Sequence, residues 1–320
     1  MTAFFSVENK GRFVRRRKKF KRNLEVILAD GVYHFARHLP RGVGFRIFSA
    51  LGDTFWWLLR KDRERALENL EIAFPDAPEP VRRAIARGMF KFIGQNTFEF
   101  LNLEGSSPER VTSLVERVEG KEYLDEAYEA GKGLIGITGH IGCFELLAAY
   151  WANSGYQVNV VGRELWEKRI SARLVRIRNS MGYRTIDRDT GGKEIIRVLR
   201  DGGIVAVLID QHTRVSGVYV PFFNRPAHTP IGVAKLAIAT GAKVVPMAIY
   251  MNRPGRHVIR ILPALDLPGD VGDKDELARI LTAECSRAIE DLVRFDPKQW
   301  VWFHRRWREP EAEATYATVS

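Results

Sequence analysis

Downstream of Ser106 the chain alternates short apolar runs with longer segments in which apolar residues recur every three or four positions. The runs at Leu134–Thr138, Gln157–Val161, Ile204–Ile209, Val218–Phe222, Val244–Tyr250 and His257–Leu262 read as strands. Helical spacing predicts helices over Phe144–Asn153, Trp166–Met181, Lys193–Arg200, Ile231–Ala239 and Lys274–Val293. This alternation predicts an α/β fold whose mostly parallel central sheet is covered by helices on both faces. Upstream, from Glu68 to Leu103, the pattern is helical, running through Leu70, Ile72, Ala73 and Phe74 and again through Ala84, Ile85, Met89, Phe90 and Ile93. Pro75, Pro78 and Pro80 divide it into two helices. Three regions are expected: a basic helical membrane-associated region over 1–105, a catalytic domain over 106–310 and a flexible tail over 311–320.

Composition allows such a core and removes some classes. With 320 residues and 45% apolar content the chain is globular. Its two cysteines, Cys143 and Cys285, fit a reducing compartment and no disulfide framework, and no metal cluster is suggested. The net charge of +11 is unevenly placed, because Lys10 to Arg22 holds nine Lys or Arg and no acid. The following Asn23–Asp30 stretch contains Glu25 and Asp30, unlike a secretory signal. Val43–Leu59 is aromatic-rich but carries Arg46 and Asp53, short of the roughly 18 to 20 uncharged residues of a spanning helix. A basic tract beside aromatic amphipathic helices predicts a segment lying on an anionic membrane surface. Nucleic acid is not expected, since the basic residues sit in a tail and on no recognition motif.

The chemistry is concentrated in Gly139-His140-Ile141-Gly142-Cys143-Phe144-Glu145, just after an uncharged strand. Residues five apart on one helix lie about 140° from each other. His140 is therefore expected on the turn and Glu145 in the first turns of the next helix, as a base and its orienting acid. Cys143 is a rival nucleophile, although its apolar neighbours Phe144 and Leu146 favour a buried packing residue. Other polar groups follow strand ends, where open α/β sheets build their sites. Arg163 reads either as an anion contact or as a surface partner of Glu164 or Glu167, and Asp210 either as a loop-orienting group or as part of the chemistry. Gln211 and His212 follow it.

Taken together, Gly139–Glu145, Arg163, Asp210-Gln211, Gly217-Val-Tyr-Val-Pro-Phe-Phe223, Ala227-His-Thr229, Thr240–Pro246 and Gln299-Trp-Val-Trp-Phe-His-Arg-Arg-Trp307 resemble the bacterial lipid A biosynthesis lauroyl/myristoyl acyltransferases. The resemblance runs from about Asn69 to Arg308 and departs where members often carry Asn-Trp and this chain has Cys143-Phe144. It implies acyl transfer from an acyl carrier protein thioester to a hydroxyl of a lipid A precursor, a phosphorylated glycolipid. The work would be done at the cytoplasmic face of the bacterial inner membrane, by a peripheral or monotopic protein with no cofactor and no metal. His140 would be the general base, Glu145 would hold its tautomer, and Arg163, Arg169 and Arg178 would suit the acceptor's phosphates, with Asp210 and Gln211 also in the substrate site. Backbone N–H groups at the helix start, or Arg163, would meet the oxyanion. Transfer to a phosphoinositol mannoside or an ornithine lipid, hydrolysis by the same His-Glu pair, and a non-catalytic membrane adaptor are the other readings. In the closing aromatic-basic segment (Trp300, Trp302, His304, Arg305, Arg306, Trp307), at least two of the three Trp are expected to pack in the core.

Overall fold

The computed structural model of the chain describes residues 23–266 and 273–308. Its strands are β1 (Val115–Glu119), β2 (Leu134–Thr138), β3 (Val158–Gly162), β4 (Arg184–Asp187), β5 (Ile204–Leu208), β6 (Gly217–Phe222), β7 (Arg225–Pro230), β8 (Lys243–Arg253) and β9 (Arg256–Ile261). Seven form one sheet in the order β1-β9-β8-β2-β5-β3-β4, parallel at every pairing except β8 with β9. The expected Val218–Phe222 strand lies outside this sheet, because β6 and β7 pair with each other as an antiparallel hairpin.

Between and before the strands run α1 (residues 23–38), α2 (Arg41–Leu58), α3 (Arg60–Ala73), α4 (Glu79–Asn102), α5 (Pro108–Ser113), α6 (Lys121–Glu129), α7 (Phe144–Asn153), α8 (Lys168–Ser180), α9 (Gly192–Arg200), α10 (Gly232–Thr240) and α11 (Lys274–Phe295). Alternation along β8 divides the interior between two cores. Val244, Ala248 and Tyr250 pack with Leu70, Met89, Leu199, Ala234 and Leu281, from α3, α4, α9, α10 and α11. Val245, Met247 and Ile249 pack with Leu124, Leu147 and Ile177, from α6, α7 and α8. Both faces of a strand such as β2, buried at every position, are thus covered.

The helices ahead of the sheet are attached by close packing and by charge. A Cβ on Gly52 of α2 would stand 2.2 Å from the Phe90 carbonyl oxygen of α4, so the two backbones touch where only glycine fits. α1 is held by Arg173 of α8 to Asp30, and by Tyr33 and Arg37 to Glu104. No helix among the described residues is long and apolar enough to cross a membrane. The basic tract Lys10–Arg22 and the 311–320 tail lie outside the described residues.

Candidate active site

β2 and β5 are neighbours, and their last paired residues are Thr138 and Leu208. Two residues beyond each, His140 and Asp210 stand side by side at the carboxyl ends of adjacent parallel strands, where an open sheet places its site. Asp210 Oδ1 lies 2.9 Å from His140 Nδ1, and Oδ2 accepts the His140 backbone N–H at 2.7 Å. The indole N–H of Trp300 donates to the same Oδ2 at 2.7 Å. Burial alone raises a carboxyl pKa, but His140 and these donors outweigh it and hold Asp210 down to about 2. Burial lowers the pKa of His140, yet the adjacent Asp210 carboxylate, helped by Glu145, leaves it above the ordinary histidine value. An ionised Asp210 fixes the tautomer with the proton on Nδ1. Nε2 is then a free lone pair with no protein partner among the described residues, on a side chain 28% exposed.

The hydrogen bond expected from Glu145 to His140 is therefore made by Asp210. Glu145, at the second position of α7, turns toward α8 and β4. There it accepts from Arg178 Nε at 3.0 Å, from the Arg178 terminal nitrogen at 2.6 Å and from the Tyr183 hydroxyl. The same pairing corrects the expectation for Arg178, whose fork is filled by this carboxylate in a largely buried ion pair rather than open to a phosphate. Gly142 makes the turn between His140 and α7. It adopts φ +55°, a Cβ there would lie 1.9 Å from the Ile249 carbonyl oxygen, and its N–H donates to Gln299 at 2.9 Å.

His140 opens onto a cavity of about 260 Å³ lined mainly by apolar groups, among them Phe92, Ile93, Phe100, Phe144, Val301 and Phe303. A second, smaller cavity of about 50 Å³ lies between α7 and the sheet, and Phe144 and Glu145 line both. Cys143 precedes α7 in a buried position, and burial drives its thiol pKa far up, which disfavours a thiolate nucleophile. Arg163 does follow β3, but its side chain is 71% exposed and sits 3.6 Å from Asp189, a surface partner other than the two considered from sequence. Arg169, also exposed, pairs with Glu167 at 2.8 Å and donates to Asn23 at 3.1 Å. Neither faces the cavity beside His140. Gln211 is half-buried next to Asp210, with no side-chain hydrogen bond among the described residues. Trp300 and Trp302 are core residues as expected, while the contact of Trp300 with Asp210 had no signal in sequence spacing. Among the described residues no group of three or more His, Cys, Asp or Glu is arranged to hold a metal.

Comparison with known proteins gives this geometry its context. A family model described as bacterial lipid A biosynthesis acyltransferase matches residues 12–309. The chain is 26% identical over 267 residues to a phosphatidylinositol mannoside acyltransferase of Mycobacterium tuberculosis, covering 82% of this chain and 80% of the relative. It is 26% identical over 260 residues to the lipid A biosynthesis myristoyltransferase of Escherichia coli, covering 80% and 78%. To the lauroyltransferase of the same organism it is 23% identical over 294 residues, covering 88% and 90%. The chain belongs to the bacterial lipid A biosynthesis acyltransferase family and is an acyltransferase.

Proposed function

We propose that this protein transfers a fatty acyl group from an acyl carrier protein thioester to a hydroxyl of a phosphorylated glycolipid, with His140 as general base and Asp210 as the group that positions it. The observation that carries this reading is the pair of buried Asp210 and half-buried His140, whose free Nε2 belongs to a residue lining an apolar cavity. Nε2 takes the proton of the acceptor hydroxyl while its oxygen attacks the thioester carbonyl. The C–S bond then breaks and the imidazolium returns the proton to the departing thiolate. A positioned base of this kind contributes roughly 10²- to 10⁴-fold. The first amides of α7 have no acceptor within the helix and meet the charge developing on the carbonyl oxygen. The acyl chain occupies the apolar cavity, with Phe144 and Glu145 at the boundary of the smaller one behind it.

The acceptor is a lipid A precursor, or a mannosylated phosphoinositide of the kind named for the mycobacterial relative, which is as similar to this chain as the myristoyltransferase is. Work on such a lipid suits a protein lying on the cytoplasmic face of the bacterial inner membrane through its basic, apolar amino-terminal region. Supplying purified protein with acyl carrier protein thioester and each acceptor tests the reading. An ester product lost with His140→Ala supports it, and free fatty acid as the main product without an acylated acceptor favours a hydrolase.

A further inference from the structure

The segment from Trp300 to His304 faces two different surroundings. Val301 and Phe303 line the apolar cavity with His140, whereas Trp300 reaches Asp210 and His304 Nε2 accepts the backbone N–H of His212 at 2.9 Å. Within electrostatic reach of Asp210 lies a buried cation. Arg306, only 1% exposed, donates to the His228 carbonyl and, at 2.7 Å, to Thr229 Oγ1, with Cζ 4.8 Å over the Phe222 ring. It has no carboxylate at ion-pair distance among the described residues, and its Nε is buried without a partner. A guanidinium left with neutral partners keeps a desolvation cost that an anion would offset.

Two imidazoles, those of His228 and His304, interact electrostatically with that charge. The His228 ring lies 4.8 Å from that of His212, and the Nδ1 of His228 has no hydrogen-bond partner among the described residues. Because His304 uses Nε2 as an acceptor, its proton is on Nδ1, a donor with no protein partner among the described residues. Burial, reinforced by His212 and Arg306, holds His228 below its ordinary pKa; burial also holds His304 down to about 4 and lowers Arg306 to about 10, in both cases against the nearby Asp210 carboxylate. Both rings are therefore neutral at pH 7, each with one N–H to give, near the Arg306 guanidinium.

We infer that His228, His304 and Arg306, none of which lines the apolar cavity, form a binding site for a phosphoryl group. The inference rests on the acyl-transfer reading for its biological ligand, and it moves the cationic flank of the site from Arg163 and Arg169 to the β6–β7 hairpin and the carboxyl-terminal segment. The same chemistry is offered by a phosphate on the glycolipid acceptor and by the phosphodiester of a pantetheine-borne thioester.

Histidine-labelled full-length protein titrated with inorganic phosphate provides the test. The ring signals of His228 and His304 should shift saturably in NMR spectra, their pKa values should rise, and Arg306→Gln should abolish both effects. Because Arg306 is packed in the interior, His228→Gln on a half-buried ring serves as the second variant. Its preference for a phosphorylated over a dephosphorylated acceptor should fall about tenfold, equivalent to about 1.4 kcal/mol. If that preference holds while the variant loses its preference for a carrier-borne thioester over one lacking the phosphodiester, the phosphoryl group is the donor's. Ring signals indifferent to phosphate, or both preferences unmoved, overturn the inference and leave acyl transfer standing. A saturable phosphate response in a protein that acylates no acceptor keeps the site and removes the acyl-transfer reading.

Discussion

Asp210 holds His140 at two points, through Oδ1 at 2.9 Å from the ring Nδ1 and through Oδ2 at 2.7 Å from the backbone nitrogen. One carboxylate thus fixes both the tautomer of the base and the turn that carries it. A carboxylate serving two donors in this way is more than a charge near an imidazole, and its removal should be read in a pH profile as well as in a rate.

With Asp210 in place His140 titrates above 6.5, so kcat/KM should fall as pH drops through that raised value and the base becomes protonated. Asp210→Asn removes the negative charge that favours imidazolium. The acidic limb should then move to lower pH, on a plateau roughly 10²- to 10⁴-fold lower. A limb that stayed in place, or moved upward, would reject Asp210 as the partner of His140.

Trp300→Phe should move the same limb the other way. Losing the indole donor leaves more charge on Asp210 for the imidazolium, so the His140 pKa rises, whereas Asp210→Asn lowers it. Oδ2 keeps the His140 backbone N–H, and the expected stability loss is about 1 to 3 kcal/mol by denaturant melts. Opposite shifts in the two variants separate positioning through Asp210 from a general loosening of the fold, which would lower activity without ordering the limbs.

Glu145 should behave as half of an ion pair rather than as the orienting acid. Both partners are largely buried, with side-chain exposures of 12% for Glu145 and 14% for Arg178. Glu145→Gln or Arg178→Met should therefore cost about 3 to 5 kcal/mol, because each strands the other charge. In a double-mutant cycle Glu145→Gln with Arg178→Met should recover part of that loss. Glu145→Gln should move the His140 limb downward by less than Asp210→Asn does. An equal or larger displacement would return the orienting role to Glu145.

These contrasts also show which parts of the molecule the sequence discloses. β2, β5 and the middle of β8 are legible because strands covered on both faces are largely apolar, and His140 is legible because it follows one of them by two residues. β1 and β4 are edge strands with the sequences Val-Glu-Arg-Val-Glu and Arg-Thr-Ile-Asp, whose charged residues hide the pattern. β7 begins and ends around Pro226 and Pro230, which argue against a strand until the hairpin partner is known. Asp210 could be picked out as a polar residue after a strand, but its pairing with His140 depends on β5 lying beside β2. That strand order is a long-range fact, absent from spacing. Glu145, by contrast, is near in sequence and invites the wrong pairing. Its fork partner Arg178 lies 33 residues away and faces it only once α8 has packed beside α7.

Membrane attachment should separate into a part that salt weakens and a part that it does not. Leu24, Ile27, Leu28, Val32 and Phe35 follow helical spacing on α1 and are all exposed, as are Leu51, Phe55, Trp57 and Leu58 on α2, with Trp57 at 65%. Charge from the Lys10–Arg22 tract contributes at most about 1 kcal/mol per residue near an anionic surface and fades as the Debye length shrinks. Burying a large apolar side chain contributes about 1.5 to 3 kcal/mol and is not screened. Flotation with phosphatidylglycerol vesicles should therefore show wild-type protein bound at low salt and partly retained at high salt. Ile27→Asp with Trp57→Asp should abolish the retained fraction, whereas replacing the tract's basic residues by Gln should reduce binding chiefly at low salt. Both side chains are exposed, so neither substitution should disturb folding. Binding that ignored the two apolar substitutions at every salt concentration would show that α1 and α2 do not enter the bilayer surface, leaving the basic tract as the sole contact.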